Sequence, residues 1–196
     1  MCIRDRSASG IAWTFAPMVD ISRDARWGRV MEGAGEDPYL GSLIAKARVE
    51  GFQGGNDWRS LADVHTVLAC CKHFAAYGAA EAGRDYNTSE LSQNTLMNYY
   101  MPPYLAAKEA GVATFMASFN EINGVPSTGN KWLMTDLLRK DWGFNGFVVT
   151  DYTGINEMVA HSIVRNDKEA GELAANAGID MDMTGGIYSQ YLVQSV

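Results

Sequence analysis

Residues 66–73 read Thr-Val-Leu-Ala-Cys-Cys-Lys-His, an apolar run that ends abruptly in two polar side chains. A run this uniformly apolar is typical of a strand buried on both faces, as in a parallel sheet. Four further short apolar runs share this character, and amphipathic segments separate them. Strands that alternate with helices predict an α/β fold with a parallel sheet. The predicted strands are residues 11–19, 66–71, 112–118, 146–150 and 179–183.

The segments between these runs carry helix start and stop signals. The predicted N-terminal caps are Asp37, Ser89, Asn130 and Asp167. The first helix is predicted to stop in the Gly-rich segment 51–56 and the last at Gly178, and Pro102-Pro103 is predicted to kink the second. The inward face of the first helix is predicted to hold Leu40, Leu43, Ile44 and Ala47. No hairpin signal, such as Asn-Gly between two paired strands, is predicted. The lack of a predicted hairpin favours parallel pairing of the strands.

Parallel strands of this kind form either an open nucleotide-binding sheet or a barrel. The chain has neither a GxGxxG segment after its first strand nor a Walker loop, so the open sheet loses its main sequence support. A complete (β/α)8 barrel takes about 250 residues, whereas five strands are predicted within these 196 residues. We therefore expect an α/β fold that is a partial (β/α)8 TIM-type barrel with mainly parallel strands.

Residues 1–10 do not fit this pattern. Their first six residues, Met-Cys-Ile-Arg-Asp-Arg, lack the apolar core of a secretory signal and suit neither a strand nor a helix. We expect this leader to be foreign to the fold, as an assembly or cloning scar would be. Residues 11–196 are expected to form the incomplete barrel domain.

The composition excludes several classes of protein. Hydrophobic residues make up 47% and charged residues 20% of the chain, and no apolar stretch is long enough to span a membrane, so a globular chain is expected. Sixteen basic and 23 acidic residues give a net charge of -7 without a basic cluster, which disfavours nucleic-acid binding. Cys2, Cys70 and Cys71 show neither zinc-site spacing nor a disulfide framework, and the adjacent pair is interpreted as strand packing.

Catalytic groups of a parallel barrel lie at the carboxyl ends of its strands. Asp151 directly follows the 146–150 strand, which would place its carboxylate at the mouth of the barrel; the alternative is a helix cap. Lys72 and His73 follow the 66–71 strand, and two titratable groups beside a buried run need polar partners. These two residues are interpreted either as site residues or as ion-pair partners of a neighbouring loop.

Arginine and aromatic side chains of the loops are further candidates. Arginine suits bidentate bonds to carboxylates or vicinal hydroxyls, so Arg26, Arg29 and Arg84 are interpreted as sugar contacts or as ties between loops. Trp27 could stack on a sugar ring or serve the same structural purpose. Glu32 is interpreted as a helix-entry residue.

Five separate motifs carry a resemblance to a known family. They are residues 16–29 (APMVDISRDARWGR), 35–39 (GEDPY), 71–74 (CKHF), 101–104 (MPPY) and 146–152 (GFVVTDY). In this order and register the chain resembles glycoside hydrolase family 3 over about residues 11–196, and within it the bacterial periplasmic β-glucosidases. The hexosaminidase branch of that family has a Pro-Gly-His-Gly loop after Lys-His-Phe, whereas residues 75–78 here are Ala-Ala-Tyr-Gly, which disfavours that branch.

The resemblance implies retaining hydrolysis of β-linked glucosides, with Asp151 as the nucleophile. The residues that it implies for hydrogen bonds to the glycone hydroxyls are Arg29, Lys72, His73 and Arg84. Met116 is implied to line the pocket. Tyr152, counted among the substrate-binding residues, stands where many relatives have Trp, and Phe119 stands where many have Tyr. These two departures put aglycone stacking and one pocket hydroxyl in doubt.

The family supplies its acid/base Glu from a second domain after the barrel, so the resemblance implies a partner domain of the same chain outside residues 1–196. The piece alone is then expected to be a poor catalyst, because general acid-base assistance is worth about 10²–10⁴-fold. No metal and no organic cofactor is implied, and the expected location is periplasmic or secreted. The alternatives are β-xylosidase or arabinosidase activity, and a non-catalytic carbohydrate-binding barrel in which Asp151 only caps a helix.

Overall fold

A computed structural model describes residues 3–195. Its strands are β1 (Cys70–Phe74), β2 (Thr114–Ala117), β3 (Glu121–Ile122), β4 (Val125–Pro126) and β5 (Phe147–Val149). Strands β1, β2 and β5 pair in parallel in that order, with Phe115 opposite both Cys71 and Val148. Single parallel bridges extend the pattern on both sides, and they join Trp13 with Leu68, Met18 with Lys72, and Val149 with Met181.

Five chain segments thus lie side by side in the order of the sequence. A doubly wound open sheet reverses its strand order at a switch point. Unbroken order with parallel pairing is the arrangement of a barrel wall, so the predicted partial TIM-type barrel is confirmed. The predicted strands at 11–19 and 179–183 are present as single bridges rather than as continuous strands.

Helices flank the sheet. The α-helices are α1 (Ile3–Ala8), α2 (Pro38–Gln53), α3 (Gln93–Thr95), α4 (Pro102–Glu109), α5 (Gly154–Ala160), α6 (Asp167–Ala177) and α7 (Ile187–Tyr191). Helix α1 shows that the expectation of no helix in the N-terminal leader was wrong. Two helices have π geometry, Leu96–Tyr100 and Trp132–Asp141. Short 3-10 turns lie at Val30–Glu32, Trp58–Ala62, Tyr77–Ala79, Glu81–Gly83, Ser127–Gly129 and Leu192–Gln194.

Three of the predicted helix signals are confirmed. The Asp37 carboxylate accepts hydrogen bonds from two amides of the first turn of α2. The Asn130 side chain accepts one from the Leu133 amide (3.1 Å). Gly178 ends α6 with a φ of 106°, in the left-handed region that glycine adopts without steric cost.

Two predicted caps are wrong by one to three residues. Ser92, not Ser89, accepts an amide hydrogen bond at the start of α3, while the buried Ser89 hydroxyl donates to the carbonyl oxygen of Ala76. Asn166, not Asp167, caps α6. Several polar residues precede each helix, and only the one whose side chain reaches the free amides can act as the cap.

The inward face of α2 also differs from the prediction. Leu40 and Leu43 are 48% and 50% exposed, and the buried residues are Gly41, Ala45, Val49 and Gln53. α2 packs closely on α4, and a Cβ at Gly41 would lie 3.2 Å from the Pro103 side chain. Gly41 and Ala45 permit the close approach of α4, so the larger Leu40 and Leu43 lie outside this contact.

An antiparallel hairpin is present where none was predicted. Strands β3 and β4 pair across Asn123-Gly124, with Ile122 opposite Val125. Asn123 and Gly124 have φ values of 50° and 83°, and positive φ at both central residues is the geometry of a type I′ hairpin turn. The Asn-Gly signal was therefore present in the sequence, but the paired strands have only two residues each.

The sheet is buried on both faces, as the opening run predicts. Cys71 belongs to the large core between the sheet and the helices, whereas Cys70 packs with Met116 and Val149 on the opposite face. Both cysteines are free and have no exposed surface, in agreement with their interpretation as packing residues.

Candidate active site

Asp151 lies two residues beyond β5, at the carboxyl end of the strand. Its side chain is 16% exposed, and its Oδ1 accepts a hydrogen bond from the Tyr152 amide (2.7 Å). Helix α5 begins at Gly154, and Thr153 occupies the N-cap position. Asp151 is therefore not the cap of α5, which removes the structural alternative for this carboxylate.

The second oxygen of Asp151 faces His73. Nε2 of His73 lies 3.5 Å from Asp151 Oδ2, and this nitrogen has no hydrogen-bond partner within residues 3–195. His73 belongs to β1, so the polar pair Lys72-His73 lies inside the strand and not after it. β1 and β5 lie on either side of β2, and the pair thus joins the ends of two strands that are not neighbours.

The other ring nitrogen of His73 is held by Asp20, which the sequence did not assign to the site. Asp20 Oδ2 lies 2.9 Å from His73 Nδ1 and accepts a hydrogen bond from the His73 amide (3.0 Å). The Tyr104 hydroxyl lies 2.5 Å from Asp20 Oδ1 and 2.6 Å from the His73 carbonyl oxygen. Burial, reinforced by the charge of Asp20, raises the pKa of Tyr104 well above its usual value, so the phenol keeps its proton.

Arg29 is paired with Glu32. Its Nε and one terminal nitrogen donate to the two carboxylate oxygens at 2.6 and 2.9 Å, the bidentate geometry that suits an arginine. The hydrogen bond from Arg29 lowers the pKa of Glu32, with smaller effects of Lys72 and His73 in the same direction. Glu32 is therefore an ion-pair partner within the site loop, which corrects its interpretation as a helix-entry residue.

Lys72 is half-buried beside the same loop. Its backbone pairs with the segment that leads to Asp20, because its carbonyl accepts the Val19 amide (2.8 Å). Its side chain lines a surface cleft with Phe15, Met18 and Glu32. Arg29, Lys72 and His73 are thus brought within electrostatic reach of one carboxylate, that of Glu32.

The ring of Tyr77 links these groups. Its centroid lies 5.0 Å from that of His73 and 5.6 Å from the Arg29 guanidinium carbon. Burial, followed by the nearby carboxylate of Asp85, raises the pKa of the Tyr77 hydroxyl. Tyr77 therefore forms a rigid, uncharged wall between the strand residue and the loop arginine.

Trp27 and Arg26 have structural roles. Trp27 is 1% exposed, packs edge-on against Tyr77, and donates from Nε1 to the Asp85 carboxylate (2.8 Å). A fully buried indole cannot stack on a sugar, so Trp27 ties the 20–29 loop to the 75–88 loop. The Arg26 guanidinium pairs at the surface with the Asp24 carboxylate, and this pairing lowers the pKa of Asp24 to about 2.

Met116 lies within the sheet, on strand β2 beside β5. It is opposite Val149 in the ladder between β2 and β5, and it packs with Cys70 and Val149 on the face that carries Trp13 and Met183. It is 2% exposed.

The side chains of Arg84 and Tyr152 are exposed and do not join the group around Asp151 and His73. Arg84 is exposed at the end of a short 3-10 turn, and none of the contacts found within residues 3–195 joins its side chain to Asp151 or His73. Tyr152 is 61% exposed, although its amide binds Asp151. Their substrate contacts stay predictions.

The pattern of the Glycosyl hydrolase family 3 N terminal domain matches residues 2–196. The chain belongs to glycosyl hydrolase family 3. The predicted family resemblance is thereby confirmed, while the separation of a foreign leader at 1–10 from a domain at 11–196 stays a prediction.

Individual family 3 proteins show the same relationship. The chain is 46% identical over 183 residues to the periplasmic beta-glucosidase of Salmonella typhimurium and 40% identical over 186 residues to a beta-xylosidase of Formosa agariphila, covering 93% of the chain each time. The crystal structure of a beta-glucosidase from Listeria innocua in complex with glucose matches 98% of the chain with a TM-score of 0.95 and 44% identity. The chain spans about a quarter of these relatives, namely 23%, 25% and 26% of their lengths.

Tyr86 is a further residue near Asp151 that sequence patterns missed. Its φ is +65°, which is uncommon for a residue other than glycine, and its ring stacks on Phe119 with centroids 4.3 Å apart. Burial, followed by the charge of Asp151, raises the pKa of Tyr86, so its phenol is within electrostatic reach of that carboxylate. The positive φ depends on the loop conformation and leaves no pattern in the sequence.

Within residues 3–195 no group of three or more His, Cys, Asp or Glu side chains is arranged to hold a metal ion. No helix in this part of the chain is long and apolar enough to cross a membrane.

Proposed function

We propose that the protein carrying this chain hydrolyses terminal β-D-glucosidic bonds with retention of configuration, and that Asp151 is its nucleophile. One observation carries the proposal: Asp151 is partly exposed at a strand end, caps no helix and directs Oδ2 to within 3.5 Å of the buried His73 ring. Family membership and the beta-glucosidase relatives support the reaction class.

The chemistry has two steps. An Asp151 oxygen bonds to the anomeric carbon as the bond to the leaving oxygen breaks, and water then attacks the glycosyl-enzyme ester and releases the sugar. A retaining site needs a second carboxyl group about 5–5.5 Å away, which gives a proton to the leaving oxygen and takes one from the water. Since the chain spans about a quarter of its relatives, we assign this acid/base to a further domain of the full-length protein.

The sugar-binding residues of the proposal are Arg29, Lys72, His73, Arg84, Met116 and Tyr152. Arg29 and His73 are supported by their shared contact with the Tyr77 ring, and Lys72 by its place beside His73 in β1. Met116 is supported by its packing beside the nucleophile strand. Arg84 and Tyr152 are supported by motif position only.

A β-xyloside is the second candidate substrate, favoured by the Formosa agariphila beta-xylosidase at 40% identity. Xylose lacks the exocyclic hydroxymethyl group of glucose, so the choice depends on one wall of the pocket. The periplasm is the proposed compartment, supported by the Salmonella typhimurium relative, which is named periplasmic.

The test uses the full-length protein and its Asp151→Asn variant, with Asp24→Asn as a control at an exposed loop carboxylate. We expect 4-nitrophenyl β-D-glucoside to be cleaved faster than the xyloside, with the β-anomer formed first, and Asp151→Asn to retain sugar binding but lose turnover. A 2-fluoroglucoside should label Asp151, as found by peptide mapping. A label on another residue would reject the nucleophile, and binding without turnover in the unmodified protein would favour a carbohydrate-binding barrel.

A further inference from the structure

We propose that Asp20 is a positioning residue, which holds His73 with Nδ1 protonated so that Nε2 is the atom presented to Asp151 and to the sugar bound there. The proposal rests on the proposed function, because it concerns how the same site is prepared for its substrate.

The first step is the burial of the Asp20–His73 pair. The side chains are 0% and 1% exposed, respectively, so water does not compete for their hydrogen bonds. A buried carboxylate needs several hydrogen bonds to be tolerated. Asp20 meets this need through three groups: the His73 amide, the His73 ring and the Tyr104 hydroxyl.

The proton between the two side chains lies on His73 and not on Asp20. An ionised carboxylate only accepts hydrogen bonds, so His73 Nδ1, at 2.9 Å from Asp20 Oδ2, must carry a hydrogen. In the other neutral tautomer the Nδ1 lone pair would face the carboxylate, which is repulsive. Asp20 thus selects one tautomer, a role that a hydrogen-bonded carboxylate commonly has behind a functional histidine.

The third step is the consequence at Nε2. In the neutral ring this nitrogen has a lone pair, which meets the Asp151 carboxylate with the same kind of repulsion, and in the charged ring it donates a hydrogen bond. Nε2 is itself buried and has no hydrogen-bond partner within residues 3–195, so the group that it acts on in this structure is Asp151 Oδ2, 3.5 Å away. The selected tautomer therefore decides which hydrogen bond the site offers beside the nucleophile.

Asp20 also fixes the orientation of the His73 ring. The same carboxylate oxygen that binds the ring also accepts the His73 backbone amide, so the ring cannot rotate about its side-chain bonds without losing one of the two bonds. Tyr104, packed edge-on against Phe74, holds the second oxygen. These contacts hold the imidazole ring from the side opposite Nε2.

The test is ¹⁵N NMR of the His73 ring in the full-length protein, combined with kinetics of the Asp20→Asn variant. We expect Nδ1 of His73 to have the shift of a protonated nitrogen when the ring is neutral, and Nε2 that of an unprotonated one. Asp20→Asn should populate the second tautomer and lower kcat/KM by about 10- to 100-fold, the loss that follows when the outer hydrogen-bond partner of a metal-binding histidine is removed. Asp24→Asn, in the same loop but away from His73, should change neither.

Several results would overturn the proposal. An unprotonated Nδ1 in the unmodified protein contradicts it, and so does an Asp20→Asn variant with unchanged His73 shifts. If Asp20→Asn does not fold, Tyr104→Phe, which leaves both Asp20–His73 bonds in place, must retain the protonated Nδ1. The NMR measurement does not depend on hydrolysis. A protein that binds but does not cleave glucosides would therefore refute the proposed function, while the His73 shifts would still decide the role of Asp20.

Discussion

Nε2 of His73 lies 3.5 Å from Oδ2 of Asp151, and the two residues belong to chain segments separated by the whole of strand β2. Their distance depends on two ladders, in which Phe115 is opposite both Cys71 and Val148. A slip of one residue in either ladder would move one partner by about 3.3 Å and turn its side chain to the other face. The core packing that fixes register therefore also fixes the site.

The two ring nitrogens of His73 can be tested separately. Asparagine at position 73 can donate to Asp20 from the position of Nδ1 but has nothing at the position of Nε2, whereas glutamine reaches toward Asp151. We expect His73→Asn in the full-length protein to lower kcat/KM by about 10- to 100-fold, the worth of one charged hydrogen bond, and His73→Gln to lower it less. Steady-state kinetics on a β-glucoside check this order. Equal losses would show that Nε2 makes no contact of its own.

The Arg29–Glu32 pair is expected to make stability depend on pH. The hydrogen bond from Arg29 lowers the pKa of Glu32 in the folded protein below its ordinary value of 4.5. Its contribution is therefore complete above about pH 4.5 and is lost as the pH falls through the lowered folded pKa. Because Glu32 is 41% exposed, the pair is worth less than about 1 kcal/mol. A double-mutant cycle of Arg29→Gln and Glu32→Gln, by urea unfolding, should give a coupling energy at pH 7 that decreases as the pH is lowered below 4.5; a coupling that does not change with pH would contradict it.

The order of elements could be predicted because apolar runs and amphipathic segments alternate along the chain. Strand β1 nevertheless extends past the apolar run, since Asp20 supplies the polar partner that lets His73 continue the strand. Apolarity alone marks only the part of a strand that needs no such partner. In the same way, the leucines of α2 gave a regular stripe, but the close approach of α4 selected the small-residue face.

Only part of the candidate site could be predicted from residue patterns. The rule that strand ends meet at one edge was enough to group Asp151 with His73. Asp20 and Tyr104 are 84 residues apart in the sequence. Their contact depends on which side chain of each segment turns inward, and a single sequence does not show which residues will pair in this way. The exposure of Arg84 and Tyr152 likewise depends on loop conformation, not on motif position.

Cys70 and Cys71 are expected to resist alkylation in the folded protein. Burial raises the pKa of the Cys70 thiol to about 12 and that of Cys71 well above its usual value, and only the thiolate reacts readily. Iodoacetamide at about pH 8, followed by peptide mass mapping, should leave both thiols unmodified until urea is added. Alkylation of Cys70 at the rate of an unfolded peptide would show that the face of the sheet that carries Cys70, Met116 and Val149 is open to solvent.

Gly78 is expected to be intolerant of any side chain, which makes it a probe of how closely the two site loops pack. A Cβ at this position would lie 2.3 Å from the backbone carbonyl oxygen of Ile21, in the segment that follows Asp20, and a backbone atom cannot move aside as a flexible side chain can. We expect Gly78→Ala to lower the free energy of unfolding by about 1–3 kcal/mol or more, the usual cost of overpacking. Gly28 is the matched control, since a Cβ there meets nothing within 4 Å, and Gly28→Ala should stay within about 0.5 kcal/mol of the unmodified protein. Urea unfolding of the two variants measures both values, and equal stabilities would mean that the loops carrying Ile21 and Gly78 are not in contact.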